Sequence, residues 1–316
     1  MIEARQLTKR FGGRTAIDGV TFRVDRGEVV GLLGPNGAGK STTFRILAGI
    51  FPPDAGRAVV DGLDLDGEPL GARRRIGYVP ERPALHLDLT VEAQLAFVAT
   101  LRDVPAAIRR HAVDAGIARA RLADVRERRI GALSRGMRQR VSLAAGLVGD
   151  PPALLLDEPT VGLDPAQSAD TRRLIRELGR DRAVLVSSHV LADVEVLCDR
   201  VVILHRGRVL AEGDPGALAA RLRRTTYVDV ESAATPERIA ALVRDLPGVR
   251  GVTALPGPED GGRCRVEVAA DRDARATIAA AFASAHIPLY ALAPVEPSLE
   301  EAFLSLVAEA GPGAST

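Results

Sequence analysis

The stretch Gly34-Pro35-Asn36-Gly37-Ala38-Gly39-Lys40-Ser41-Thr42 fits the phosphate-binding pattern G-x-x-x-x-G-K-[ST]. An apolar, strand-like segment, Val29–Leu33, precedes it, and a helical segment, Thr43–Ala48, follows it. In that context the backbone N–H groups surround phosphate oxygens, and the helix N-terminus adds about half a unit of positive charge. Lys40 then reaches the β- and γ-phosphates, and the Ser41 hydroxyl binds Mg²⁺. The stretch predicts a site for a nucleoside triphosphate.

The composition is that of an ordinary globular protein. Of 316 residues, 46% are apolar and 26% charged, and this length predicts two domains or one large domain with an appendage. The formal net charge of +1 gives no indication of a nucleic-acid-binding surface. Cys198 and Cys264 are the 2 cysteines, so we expect no disulfide framework and a reducing cytoplasm.

The apolar segments are too short to cross a membrane. The N-terminus lacks the apolar core of a signal peptide, and no run reaches the roughly 18 apolar residues that a spanning helix needs. We therefore expect a chain that does not itself span the bilayer.

A change of pattern follows the first strands. Thr90 is suited to cap a helix that begins at Val91, and Pro105 opens a second helical stretch. The block from about 82 to 150 therefore predicts a helical subdomain inserted into an α/β core. Within it, Ser134 and Gly136 precede another helix, whose free N–H groups suit an anion.

Two acids end a dense apolar run, Ala153–Asp157 followed by Glu158. Such a run predicts a buried central strand, and ligands of doubly wound sheets bind outside the carboxyl ends of strands. Asp157 is then the natural second contact to Mg²⁺, and Glu158 the natural base for an attacking water. His189 ends the next buried strand in the same way, which favours a functional role.

Phe11 is an aromatic residue beside glycines, in a chain with only 3% aromatic residues. Its ring can stack on adenine, or it can anchor its own loop. The residue alone leaves both interpretations open.

The constellation resembles the ATP-binding cassette (ABC) ATPases over roughly residues 1 to 220. The motifs follow the family's order: Phe11 as the adenine-stacking aromatic, Gly34 to Thr42 as the Walker A loop, Leu133 to Met137 as the signature, Leu154 to Asp157 as the Walker B strand with Glu158 following, Leu163-Asp164 as the D-loop, and His189 as the switch histidine.

Two motifs depart from the family pattern. Glu81 stands where the family usually has glutamine in the Q-loop, and a carboxylate cannot donate a hydrogen bond as an amide does. The signature carries Arg135 and Met137 in place of glycine and glutamine, while Ser134 and Gly136 remain. Arg135 adds a cation near a bound phosphate or near the dimer seam, and the sequence leaves this choice open.

The resemblance implies a head-to-tail dimer with ATP and Mg²⁺ as cofactors. Each ATP contacts the Walker residues of one subunit and, from the other, Ser134, Arg135, Gly136, Met137 and Asp164. Within this scheme Glu158 polarises the attacking water, and His189 contacts the γ-phosphate. Lys40 and Mg²⁺ neutralise the developing charge. The implied Mg²⁺ ligands are Ser41, Asp157 and Glu81.

The C-terminal segment predicts a second domain. Strands and helices alternate as β-α-β-β-α-β, the order of a small ferredoxin-like domain. We expect an ABC ATPase domain at 1–222, an α+β domain at 223–309 and a disordered tail at 310–316. The expected fold class is an α/β P-loop NTPase of ABC type with an inserted helical subdomain, plus the C-terminal α+β domain. We expect that domain to serve packing or dimerisation rather than ligand sensing.

The resemblance implies the ATP-hydrolysing subunit of an ABC transporter. The ending Pro-Ser-Leu-Glu-Glu-Ala-Phe resembles those of multidrug and polysaccharide exporters, which favours export. The implied partners are a polytopic membrane permease and a second copy of this chain, and no nucleic acid is expected. The expected location is cytoplasmic, peripheral on the inner face of the cell membrane. The alternatives are a soluble ABC protein that acts on ribosomes or nucleic acid, and an ATP switch with low turnover.

Overall fold

The computed structural model describes residues 1–188, 191–221, 225–256, 261–269 and 273–295. The chain divides into two units, Met1–Pro215 and Gly216–Thr316. The first unit contains two sheets and the second unit contains one, and the two units have separate apolar cores.

The first unit alternates strands and helices. Its strands are β1 (Ile2–Phe11), β2 (Arg14–Val24), β3 (Val29–Leu33), β4 (Ala55–Val60), β5 (Leu63–Asp64), β6 (Ile76–Val79), β7 (Ala153–Asp157), β8 (Ala183–Ser188), β9 (Arg200–His205) and β10 (Arg208–Gly213). Its helices are α1 (Lys40–Leu47), α2 (Pro69–Arg74), α3 (Val91–Leu101), α4 (Ala106–Arg119), α5 (Arg135–Leu147), α6 (Pro165–Gly179) and α7 (Leu191–Leu197), with 3-10 turns at Ala123–Val125 and Ile130–Ala132.

A six-stranded sheet in the order β10-β9-β3-β8-β7-β6 organises this unit. Neighbouring strands are parallel, except that the edge strand β10 is antiparallel to β9. Every residue of β3, β7 and β8 is buried, as expected for strands covered on both faces. Because these strands are parallel, the phosphate loop after β3 and the acids at the end of β7 lie at the same edge.

A second, antiparallel sheet in the order β2-β1-β4-β5 belongs to the same unit. The helix α1 packs between the two sheets, with Phe44, Ile46 and Leu47 buried. Residues of both sheets, such as Phe22 and Leu155, complete this main core. The predicted α/β fold is confirmed.

Helices α3, α4 and α5 have a core of their own, which includes Leu95, Ile117 and Val141. As predicted, Thr90 caps α3, since its hydroxyl accepts the N–H of Ala93 at 3.1 Å. The inserted helical subdomain is therefore confirmed. Within the described residues, no helix has the length and apolar character needed to cross a membrane.

The close contact between β6 and α5 predicts a cost for adding one methyl group at Gly77. A Cβ there would lie 2.3 Å from the backbone oxygen of Gly146. Gly77→Ala should lower the free energy of unfolding of this unit by about 1–3 kcal/mol, because neither backbone can move freely. Urea denaturation measures this loss. Gly67→Ala is the control, since its nearest neighbour is at 3.9 Å, and equal losses in both variants would contradict the contact.

The helix α8 (Pro215–Arg221) begins at the boundary between the units. In the second unit, β11 (Thr225–Ser232), α9 (Pro236–Val243), β12 (Val249–Leu255), β13 (Gly262–Ala269), α10 (Arg275–Ser284) and β14 (Leu289–Val295) follow one another. The strands form an antiparallel sheet in the order β12-β13-β11-β14. This arrangement confirms the ferredoxin-like prediction. The predicted helix near Ser298 and the tail at 310–316 lie outside the described residues.

Candidate active site

A cavity of about 840 Å³ opens at the carboxyl end of β3. Its lining includes the phosphate loop together with Phe11, Glu81 and Glu158. The structure therefore brings together residues that the sequence predicted separately for base stacking, phosphate binding and water activation. Arg14, Thr15, Ala16, Val161, His205 and Arg206 also line the cavity, and the sequence analysis missed them.

The phosphate loop closes around the amine of Lys40. This side chain is buried at the start of α1, and its Nζ donates to the carbonyl oxygen of Gly34 at 2.6 Å and to that of Pro35 at 3.3 Å. Burial lowers the pKa of Lys40, whereas the carboxylates at Glu158, Asp157 and Glu81 oppose that shift. The loop thus holds the Lys40 amine on two carbonyl oxygens, which phosphate oxygens would replace.

Gly39 shows why the loop needs glycine at that position. Its φ is +109°, and a Cβ there would lie 2.6 Å from Cγ2 of Ile17. A larger residue would be strained and would push against β2. The glycine therefore lets α1 begin immediately after the loop, with its free N–H groups at the cavity.

Asp157 and Glu158 are held by one hydroxyl at the end of β8. Ser187 Oγ donates to Asp157 Oδ1 at 2.6 Å and accepts the backbone N–H of Glu158 at 2.8 Å. Asp157 is buried, and burial raises the pKa of its carboxyl group; the Ser187 hydrogen bond opposes this shift, while Glu158 and Glu81 add to it. Ser187 thereby fixes the carboxyl group of Asp157 and the backbone of Glu158 at the carboxyl end of β7.

Glu158 has a left-handed backbone conformation, with φ at +49°. This region is uncommon for residues other than glycine, asparagine and aspartate, and such strain is concentrated at functional sites. The N–H of Val161 donates to the carbonyl of Glu158 at 3.2 Å, which closes a tight turn. The turn places Glu158 on the cavity wall, while Asp157 stays in the strand.

Phe11 presents an exposed ring to the cavity. The ring is 45% exposed and meets Phe51 edge-on, with 5.7 Å between centroids. The side chain lines the cavity and contacts Phe51, a position that is compatible with the predicted stacking on a base.

Phe11→Ala should weaken ATP binding by about 5- to 150-fold, because base stacking contributes roughly 1–3 kcal/mol. Phe97→Ala is the matched control. That ring is 42% exposed and meets His86 edge-on at 5.1 Å, within the helical subdomain. Titration with a fluorescent ATP analogue measures both. If the two variants bind nucleotide equally well, Phe11 does not stack.

The signature residues lie at a helix end, as predicted. Ser134 caps α5, with its Oγ accepting the N–H of Met137 at 3.3 Å, and Asp164 caps α6 by accepting the N–H of Gln167 at 2.8 Å. Gly136 packs against Gln167, since a Cβ at Gly136 would lie 2.3 Å from its Oε1. Of the described residues that line the cavity, none belongs to the signature.

Two further predictions concern metal ligands and the switch histidine. His189 lies outside the described residues.

Glu81 is exposed and lines the cavity, while Ser41 lies beside Lys40 in the loop. Over the described part of the chain, no group of three or more His, Cys, Asp or Glu side chains is arranged to hold a metal. The roles assigned to Ser41, Asp157 and Glu81 stay predictions.

Comparisons with known proteins identify relatives of this chain. A family model described as ABC transporter matches residues 17–161. The Nod factor export ATP-binding protein I of Burkholderia lata is 40% identical over 218 residues, which cover 69% of this chain and 72% of that protein. The linearmycin resistance ATP-binding protein LnrL of Bacillus subtilis is 32% identical over 316 residues, which cover 97% of this chain and 98% of that protein.

Solved structures share the fold of the first unit. The ATP-binding cassette MJ0796, in a dimeric post-hydrolysis state bound to ADP and Pi, superposes with a TM-score of 0.61 at 26% identity, over 68% of this chain and 98% of that one. The LnrL match extends over both units. The chain therefore belongs to the ABC transporter family and is an ATPase.

Proposed function

We propose that this chain is the ATP-hydrolysing subunit of an ABC exporter and drives transport through a separate membrane subunit by ATP-dependent dimer closure. The observation that carries the proposal is that Glu158 and the phosphate loop line the same cavity. One relative is named for Nod factor export and another for linearmycin resistance, which supports export.

The hydrolytic roles follow from the chemistry of the cavity. Glu158 accepts a proton from the attacking water, because it lines the cavity with the loop's cation and directly follows the buried strand β7. Lys40 exchanges its two carbonyl partners for phosphate oxygens and offsets the negative charge that develops on the transferred group. Phe11 orients the nucleotide by stacking on its base.

The residues present also fit a magnesium ion. Asp157 and Ser41 offer oxygen ligands, and Glu81 adds a third oxygen donor at the cavity wall. Mg²⁺ commonly uses only one or two protein carboxylates together with substrate phosphates, in keeping with the lack of a complete metal cage among the described residues. When bound, the ion supplies positive charge to the β- and γ-phosphates.

A second copy of the chain would complete the site. Ser134 caps α5 by accepting the N–H of Met137, and no signature residue is among the described residues that line the cavity of its own chain. Such a helix end binds anions, so the γ-phosphate held by a facing chain is a suitable partner. ATP would then join two chains, and its hydrolysis would release them. The dimer of the related cassette MJ0796 supports this arrangement.

Affinity purification from native membranes tests the transport role. The tagged chain should retain a polytopic protein, and the neighbouring reading frame should encode about six hydrophobic spans of ~20 residues each. Glu158→Gln serves as bait beside the wild type, because it should hold ATP without turnover. Recovery of ribosomes or nucleic acid in place of a polytopic protein would overturn the transport role while leaving the ATPase chemistry intact.

A further inference from the structure

We propose that Arg135 is a positioning residue that holds the turn carrying Glu158 from within the same chain. This inference rests on the proposed role of Glu158 as the base. It assigns Arg135, one of the signature's departures from the family pattern, a function in hydrolysis that requires no contact with ATP.

The guanidinium of Arg135 lies on the loop that follows β7. Its Nη2 donates to the carbonyl oxygen of Val161 at 3.2 Å. It also covers Gly162, because a Cβ built there would lie 2.3 Å from the Arg135 Cζ. Gly162 has a φ of +70° and no side chain, so the planar guanidinium rests directly on the backbone.

Val161, which accepts the hydrogen bond from Arg135, also closes the turn at Glu158. The carbonyl of Val161 accepts from Arg135, and the N–H of Val161 donates to the carbonyl of Glu158 at 3.2 Å. Val161 and Glu158 both line the cavity. Since Glu158 has a left-handed φ of +49°, this turn must be held by its surroundings to persist.

A second anchor holds the other side of the turn. Thr160 Oγ1 donates to Asp193 Oδ2 at 2.6 Å, and Asp193 also pairs with Arg172 of α6. Asp193 belongs to α7, the helix that follows β8. The turn is therefore fixed to α7 through Thr160 and to the signature helix through Arg135. A small shift of the signature helix end is passed to Glu158 through these bonds.

Direct contact between Arg135 and the γ-phosphate of a facing chain is the competing role. In that role Arg135 would stabilise bound ATP whether or not Glu158 is present. A positioning residue instead acts through Glu158, so its effect disappears once the base has been removed. The two roles therefore differ in a double-variant measurement.

The experiment measures kcat and KM for ATP in the full chain for Arg135→Ala, Arg135→Lys, Glu158→Gln and the Arg135→Ala/Glu158→Gln double variant. Arg135→Ala should lower kcat by about 10- to 100-fold, the cost of a small misplacement of a catalytic group, with KM within about twofold. Arg135→Lys should recover part of the loss, because its amine still reaches a carbonyl. In the Glu158→Gln background, Arg135→Ala should change the residual rate by less than about twofold.

Arg138→Ala is the matched control on the same helix. That guanidinium bonds the carbonyls of Ile130 and Gly131, away from the Glu158 turn. Its kcat should stay within about twofold of the wild type. Hydrogen exchange of the nucleotide-free chain adds a direct readout, since the Val161 amide should exchange faster in Arg135→Ala and at the wild-type rate in Arg138→Ala.

Equal fold-losses from Arg135→Ala in both backgrounds, or a raised KM with kcat unchanged, would overturn the proposal and assign Arg135 to the phosphate. Unchanged exchange at Val161 would overturn it as well. A wild-type rate in Glu158→Gln alone would instead refute the base assignment on which the proposal rests. Failure of the Arg135 proposal and failure of the Glu158 assignment therefore give different experimental results.

Discussion

Glu158→Gln is expected to lower the turnover of ATP by about 10²- to 10⁴-fold and to change KM by no more than a few fold. Glutamine has nearly the shape of glutamate but cannot take a proton from water. The bond between the Glu158 N–H and Ser187 Oγ uses the backbone, so the turn should survive the substitution. Phosphate release under single-turnover conditions separates the chemical step from nucleotide binding.

Glu81→Gln is the control for that loss. Both substitutions remove one negative charge from the lining of the same cavity. Because Glu81 is assigned to the metal rather than to the water, its replacement should cost less than about tenfold in kcat. Equal losses in the two variants would contradict the assignment of Glu158 as the base and would point to a general effect of charge.

Lys40→Ala should weaken ATP binding by roughly 10- to 150-fold, because a hydrogen bond between charged groups contributes about 1.5–3 kcal/mol. The variant also loses the bonds from Nζ to the carbonyls of Gly34 and Pro35, so the loop is held less firmly before ATP arrives. Isothermal titration with ATP and with ADP measures the loss. ATP should lose more than ADP, since the amine is assigned to the β- and γ-phosphates.

Lys9→Ala is the matched control, since Lys9 and Lys40 are the only lysines in the sequence. Lys9 pairs with Asp54 at 2.7 Å, and of the two side chains only that of Asp54 is exposed. Lys9 is not among the described residues that line the cavity, although its Nζ lies 5.8 Å from the centroid of the Phe11 ring. Its replacement should leave the affinity for ATP within about threefold. A similar loss of affinity in both variants would show that the effect of Lys40 is not specific to the loop.

The sequence predicted those parts of the fold that depend on residues close together in the chain. The phosphate loop, the cap at Thr90 and the cap at Ser134 each depend on a few residues in succession, and each is present. The order of the strands was not predicted. β8 lies between β3 and β7, although it follows them both in the chain, because the sheet order is set by packing between distant segments.

In the candidate site, too, contacts between residues far apart in the chain were not predicted. Glu158 and Phe11 were found from local pattern, but His205 and Arg206 were missed. His205 ends β9 and Arg206 follows it, and the position of β9 beside β3 brings both to the phosphate loop. The contact of Arg135 with Val161 joins residues far apart in the chain, so the sequence left its role open. Likewise, the residue type of Glu158 does not indicate that its backbone φ is left-handed.

The central claim is that each ATP site is shared by two chains, and mixing two defective variants tests it directly. Lys40→Ala removes the loop's cation, whereas Ser134→Asp keeps a helix cap but places a negative charge at the predicted phosphate contact. Each variant alone should show little activity at an ATP concentration near the wild-type KM. In a head-to-tail dimer, an equimolar mixture should recover about a quarter of the wild-type activity, because half of the dimers then contain one intact site of two. If both variants are folded and the mixture shows no recovery, the shared site is wrong.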